Sequence, residues 1–559
     1  MTLTAYIRHL TLLTAFCAVA MANAQTSDGL LTESRLPIVI INTDKAINAD
    51  TKVMATLKII DNGQGNINHL DDPANAYDGF CGIKWRGNSS LSFPQKKYTL
   101  ETWDAEGNDI KASLLGMPEE SDWVLLAPYN DVSMVRDVYA YALWNEMGHW
   151  GPRTRMVEVV VGGEYMGVYA LCERIKRDKN RVDVAKMKKT DIEGRDLTGG
   201  YILRVDAFDE TDATFKSKVQ GIGTGWGDKT ITWTICYPKK DSLQNEQMEY
   251  ITDYVNQVEQ AIAELPNAQE ASPTGGGLEG ASLPAHLIDV QSFVDYFIHT
   301  ELTLNADGFK RSAYFSKAKQ KKDGTGGLLA AGPVWDFNLA FGNCNFCNAD
   351  NVEAWVCQGC ETNPTPALWQ TLIGNADFRQ AVCQRYTELR QSILTNEAFG
   401  DFLDAYSLEL GEAKDRQLKK YPELLKSSSS QDNNPWSWGG WGWPGWGWTG
   451  QSGIWFAAYQ VSSYDEEIST LKLWYAQRLD FLDKSFLLNK PITSSLSDGL
   501  QIEVHGNSFG IDSNKPLSRV TVHTLAGRPV DASNSLPHGL YIVTCEAEDG
   551  KMVSRTVRR

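Results

Sequence analysis

The spacing of apolar residues changes along the chain, and this change of period restricts the possible folds more than any single motif. Over residues 36–60 and 80–102, short blocks of Val, Ile, Leu and Thr alternate with Gly, Asn and Asp turns, which predicts strands. Residues 131–147 then place Val135, Val138, Tyr139, Ala142 and Leu143 at helical spacing, with Gly148 as a stop. Met156 to Val161 and Tyr165 to Leu171 read as a hairpin joined by Gly162-Gly163. Beyond this point the period becomes helical. Met248, Ile251, Val255, Val258, Ile262 and Leu265 line one helix face, and Val290, Phe293, Val294, Phe297 and Ile298 line another. Further helices are expected over about 376–396, 400–420 and 463–488, and the Gly/Ala/Ser/Pro-rich stretch from Pro266 to Pro284 reads as a loop. The predicted class is α+β, with a strand-rich N-lobe over about 36–180, a helix-rich C-lobe over about 181–490 and a cleft between them. Residues 498–559 return to alternating segments every ten or so residues, as in a small β-sandwich.

Composition removes some classes of function. The 559 residues carry a formal charge of −17, so a nucleic-acid partner is not expected, because a phosphate backbone needs a basic footprint. Residues 1–24 combine Arg8, an apolar run from Leu10 to Met21 and Ala22-Asn23-Ala24, which reads as a removed signal peptide, with 25–35 as a linker. No later run approaches the ~20 apolar residues of a membrane span. The expected address is therefore exported: periplasmic, cell-surface or secreted. Cys344, Cys347, Cys357 and Cys360 form two C-x-x-C pairs. In an oxidising compartment these favour one or two disulfides, with a four-thiolate zinc site or free thiols as the alternatives. Six of the 18 tryptophans fall between Trp436 and Trp448, inside a Trp/Gly-rich loop over 428–455. Their faces offer a stacking surface for a glycan or protein partner, while the plainer reading is a loop that buries its own rings.

Three segments concentrate polar groups where the surroundings are apolar. Trp85-Arg86-Gly87-Asn88-Ser89-Ser90 leads into Gln95-Lys96-Lys97-Tyr98. Its Gly/Ser turn offers backbone N–H groups to an anion, beside Arg86 and Lys97. Asn305-Ala-Asp307-Gly308 follows the helix that includes Phe293 to Leu302, and Trp335-Asp336-Phe337-Asn338 follows a hairpin over 317–327. Short carboxylate and amide oxygens at element ends suit Mg²⁺, although each motif alone is more often a cap.

Taken together, these segments resemble the CotH kinase family, the spore-coat CotH-like proteins that also occur as exported proteins of Bacteroidetes. The matching residues, in order, include Arg86-Gly87-Asn88-Ser89-Ser90 with Lys97-Tyr98, and Tyr129-Asn130-Asp131 with Arg136. They continue through Glu173-Arg174-Ile175, Gly199-Gly200-Tyr201-Ile202-Leu203, Asn305-Ala-Asp307, and Trp335-Asp336-Phe337-Asn338 with Phe341-Gly342-Asn343, so that the resemblance covers about 36–490. It implies a divergent, two-lobed protein-kinase-like fold that transfers a phosphoryl group from ATP or another nucleotide triphosphate to a protein hydroxyl, using Mg²⁺ or Mn²⁺. It further implies that Asp307, with Asn305 beside it, orients or deprotonates the substrate hydroxyl, and that Asp336 and Asn338 hold the metal. Lys97, Arg86, Asn88 and Ser89 would face the nucleotide phosphates, with Glu173 in the hinge near the nucleotide.

Two departures stand out. Ser312 occupies the place of the Asn that follows a kinase catalytic aspartate, and Asn338 stands where spore-coat members carry Asp. Asp137 and Glu146 are both candidates to partner Lys97. The C-terminal segment, with Gly539-Leu540-Tyr541-Ile542-Val543 and the ending Val557-Arg558-Arg559, resembles sorting domains of the type IX secretion system. Two other functions compete with kinase activity. One is a catalytically inactive adhesion protein that uses the Trp-rich loop. The other is a transferase of a different nucleotide-derived group, since positioned phosphates and Mg²⁺ also serve that chemistry.

Overall fold

A computed structural model describes residues 25–220, 230–265, 283–344, 346–360, 364–425 and 461–487, together with the strands between 500 and 558. The signal peptide, most of the Pro266–Pro284 loop and the Trp-rich loop lie outside the described residues. The described chain is mixed α+β and falls into two compact units.

The first unit comprises residues up to Ala127, Arg155–Leu171 and Leu408–Pro422. Its centre is a closed barrel of seven strands: β1 (Ile38–Asn42), β2 (Val53–Ile60), β3 (Tyr77–Arg86), β4 (Lys97–Trp103), β5 (Asp122–Leu126), β6 (Thr154–Val161) and β7 (Glu164–Glu173). Their order around the ring is β1-β2-β3-β4-β5-β7-β6. The pairing is antiparallel from β1 to β5, and the ring closes through a parallel register of Ile38 to Ile41 against Glu158 to Val161. Alternate residues such as Ala55, Leu57 and Ile59 point inward and meet Val39, Ile83, Leu100, Trp123, Leu125, Val159 and Tyr169 in one core. The sequence pattern predicts six of these strands, including the β6–β7 hairpin, but not β5, whose five residues are all buried and so show no alternation, and not the closure. Closure depends on a pairing between distant segments.

The last stretch of this unit comes from the helical half of the sequence. Helix Ala413–Lys420 brings Gln417, whose side chain accepts from Val168 N at 2.8 Å and donates to Gln95 at 2.9 Å. Beside it, Arg416 forks onto the buried carboxylate of Glu158 at 2.8 and 2.5 Å.

The second unit comprises Pro128–Thr154, Cys172–Ser407 and the residues from Glu423 onward. Its helices include α1 (Arg136–Glu146), α2 (Asn245–Ala263), α3 (Val290–Thr303) and α4 (Tyr464–Phe486). A five-stranded sheet runs in the order β9 (Ala213–Lys216), β10 (Thr232–Tyr237), β8 (Tyr201–Val205), β11 (Ala313–Lys317), β12 (Leu329–Ala331). Helix α3 is buried almost throughout. Asp289 caps its start by accepting from Ser292 N, and its end turns sharply at Leu304, whose φ is 50°. Phe293, Tyr296 and Phe297 of α3 pack with Phe309, Phe315 and Trp369. The predicted helices over 376–396 and 400–420 are realised as Ala376–Arg390, Asn396–Leu410 and Ala413–Lys420, so a break at Gly411 divides one expected helix. Toward the C-terminus, antiparallel strands form a pair (Leu500–His505 with Ser508–Ser513) and a four-stranded sheet built on Leu517–Thr524, Leu540–Ala547 and Met552–Arg558.

Candidate active site

In the barrel unit, Arg86 ends β3 and Lys97 begins β4, and the two are direct cross-strand partners. The turn between them needs glycine at position 87, where φ is +127° and a Cβ would lie 2.0 Å from Ser90 Oγ. Asn88 precedes a single 3₁₀ turn over Ser89–Ser92. The adjacent lysines divide their tasks. Lys96 donates to the carbonyls of Leu91 at 2.7 Å and Phe93 at 2.6 Å and lies over the Trp85 ring, so its ammonium braces the turn. Lys97, which is buried where Lys96 is half-buried, shares the strand pair with Arg86. The structure thus gathers Arg86, Asn88, Ser89 and Lys97 on one hairpin.

The second unit gathers the carboxylate and amide candidates. Past the turn at Leu304, Asn305 accepts from Asp307 N at 3.2 Å and donates to the Asp336 carbonyl at 3.2 Å, joining the two loops. The Asp307 carbonyl accepts from Lys310 N and Arg311 N at 2.9 and 2.8 Å, which coils this loop into a short turn. Burial pushes the Lys310 ammonium down to about 8, opposed by the charge of Asp307. Asp336 has a φ of 64°, a left-handed conformation unusual for a residue with a Cβ. Two residues on, Asn338 donates to Asn130 Oδ1 at 3.1 Å, and Asn343 donates to the carbonyls of Asn130 and Asn338 at 2.6 and 2.7 Å.

Glu173 has a different setting. Fully buried at the end of β7, it takes a two-pronged ion pair from Arg153 at 2.8 Å on each oxygen, with Arg181 at 3.6 Å. Asp137, a candidate partner for Lys97 by sequence, accepts from Phe337 N at 2.5 Å.

Asp206 is a further candidate that sequence reasoning did not single out. It follows β8, three residues beyond the Gly199 to Leu203 motif, and its carboxylate lies 3.5 Å from Ser312 Oγ and 3.9 Å from Arg204. Burial is the main reason its carboxyl is raised above the ordinary range; Arg204 opposes this and the charge of Asp336 adds to it. Asp206, with Ser312 beside it, and the Asp336 loop offer hard oxygen atoms of the kind that Mg²⁺ or Mn²⁺ takes. Among the described residues, no group of three or more His, Cys, Asp or Glu side chains could hold a metal ion.

The model of the family described as CotH kinase protein matches residues 83–482. The chain belongs to the CotH kinase family. No curated protein matches the chain. The CotH match starts in β3, takes in both loop sets and Asp206, and ends within α4, ahead of the C-terminal strands.

In this CotH-family chain the four clustered cysteines do not act together. Cys347 and Cys360 form a disulfide, while Cys344 and Cys357 are buried thiols. Burial pushes the Cys344 thiol up to about 12. A four-thiolate zinc site would need all four sulfurs ionised, and two are already committed to each other. Among the described residues, no helix is long and apolar enough to cross a membrane.

Proposed function

We propose that this CotH-family chain is an exported atypical kinase that moves the γ-phosphoryl group of a nucleotide triphosphate onto a protein hydroxyl, with a divalent metal. The observation that carries the reading is the joining of the Asp307 and Asp336 loops through the Asn305 side chain. In this reading Asp307 accepts the proton of the attacking hydroxyl, and Asp336 holds the cation with support from Asp206 and Asn338. The bound cation supplies charge neutralisation between phosphate groups. Arg86, Lys97 and the amides of the Asn88–Ser90 turn receive phosphate oxygens, and Lys310 adds positive charge near Asp307. Glu173 contributes through its ion pair with Arg153, which stiffens the chain where β7 leaves the barrel. Phosphoryl transfer asks for position and charge more than covalent help, which suits this inventory.

The family, the barrel and the helix-rich unit are compatible with a divergent two-lobed kinase-like arrangement. The Cys347–Cys360 disulfide and the apolar leader favour export. The C-terminal strands are proposed as a β-sandwich of the type IX sorting kind. The test uses the purified chain with Mg²⁺ or Mn²⁺, a protein mixture, and ATP labelled at either the α or the γ phosphorus. Transfer of γ label alone, lost on Asp307→Ala and on Asp336→Ala, is expected. Transfer of α label would instead mark nucleotidyl transfer, and no transfer of either would end the reading.

A further inference from the structure

Asp336 keeps a left-handed backbone, so something must pin its amide groups in place. Helix α1 supplies the contacts. Asp336 N donates to Tyr141 Oη at 3.2 Å, Tyr141 O–H donates to Asp137 Oδ1 at 3.3 Å, and Phe337 N donates to the same Asp137 oxygen at 2.5 Å. One carboxylate thus orders two consecutive amides, directly and through a phenol. The residue before Asp137, Arg136, donates to the carbonyls of Ala340 at 3.1 Å and Phe341 at 3.5 Å, and holds the far end of the loop. Tyr141 is itself stacked on Trp335, with ring centroids 5.8 Å apart. The loop that carries Asp336 is therefore held at both ends by the first turns of α1, with Asp137 and Tyr141 on one face of that helix.

We propose that Asp137 and Tyr141 are positioning residues that set the direction of the Asp336 carboxylate, so that a shift of α1 alters how well the site holds its cation. This rests on the reading of Asp336 as a metal-holding residue. The lever itself can be measured without metal, because it makes a separate claim about the Asp336 and Phe337 amides.

The experiment compares wild type with Asp137→Ala, Asp137→Asn, Tyr141→Phe and Asp336→Ala, each checked by thermal melting. Hydrogen exchange is followed at the 336 and 337 amides, and Mn²⁺ is titrated calorimetrically with ATP present. Asp137→Ala should speed exchange at these amides and raise the Mn²⁺ half-saturation, each by about tenfold, the lower end of what one charge-assisted hydrogen bond is worth. Asp137→Asn keeps an oxygen acceptor and should stay within about threefold of wild type. Tyr141→Phe should affect the 336 amide alone, and it replaces Asp137→Ala if that variant does not fold. Unchanged exchange in both Asp137→Ala and Tyr141→Phe overturns the proposal, as does an Asn variant no better than Ala. ATP-dependent Mn²⁺ binding absent from wild type, with exchange altered as expected, overturns the metal reading and leaves the mounting of the loop established.

Discussion

Arg136→Met tests whether the base of the site is held by charge. The guanidinium is fully buried and donates to Asp131 at 2.5 Å and Glu467 at 2.6 Å, besides Ser133 and the Ala340 and Phe341 carbonyls. Both carboxylates are almost as deeply buried as the arginine. Methionine fills much of the same volume but leaves two acids facing each other without a cation. Removing one partner of a buried pair costs about 3–5 kcal/mol, and here two partners are orphaned, so about 5 kcal/mol is expected. That is a large share of the ~5–15 kcal/mol that keeps a domain folded. Urea unfolding followed by circular dichroism should show the midpoint falling by about 2 M if the slope is near 2.5 kcal/mol per molar. Because the cost lies in the orphaned charges, adding Asp131→Asn and Glu467→Gln should recover most of the loss. A single variant within about 1 kcal/mol of wild type would refute this reasoning. So would a triple variant no better than the single.

Three further outcomes follow from particular contacts. Asp206→Asn removes a charge that burial, and to a lesser degree Asp336, disfavours despite the attraction of Arg204, so it should raise metal-free stability by up to about 1 kcal/mol while weakening ATP-dependent Mn²⁺ binding; calorimetry and thermal melting should move in opposite directions. Burial raises the Glu259 carboxyl from 4.5 to about 7, against the hydrogen bonds from Ser217 and Trp233. The folded chain therefore keeps this proton over a range where the unfolded chain has lost it. The associated stability, about 3 kcal/mol at most, is full below the unfolded value and is lost as pH rises through about 7, and Glu259→Gln should flatten the melting profile across that window. Gly199→Ala puts a Cβ 2.3 Å from Ala318 O and Lys319 N, both backbone atoms, and should cost about 2–4 kcal/mol in the same urea assay.

Periodicity locates an element but not its partners, and the division between what was legible in the sequence and what was not follows that line. Helix α2 was readable because Ile251, Val255, Val258 and Ile262 repeat on one face and are all buried. Six strands of the barrel were readable from their apolar blocks and turns, whereas β5 and the seam between β1 and β6 were not, since a fully buried strand shows no alternation and strand patterns look alike in a barrel and an open sheet. Helix 413–420 carries a strong polar pattern that gives no hint of its role, which lies in the pairing of Gln417 with Gln95 and Val168. The site shows the same split. The Gly87 turn and the Asx loops announce themselves because they need particular backbone shapes, while the hydrogen bond that joins Asn305 to the Asp336 carbonyl is visible only in the fold. Asp206 has no such mark: an aspartate that ends a strand is ordinary until the fold brings it near Asp336. The Tyr129 to Arg136 stretch was recognisable as a motif, but its physical reason appears only when Glu467 and the Ala340 carbonyl arrive from distant parts of the chain. Its buried cation holds the far end of the Asp336 loop through the Ala340 and Phe341 carbonyls, and the next residue of α1, Asp137, holds the Phe337 amide. A motif that by sequence looks like part of a phosphate or metal site is thus, on these contacts, a mounting for the Asp336 loop.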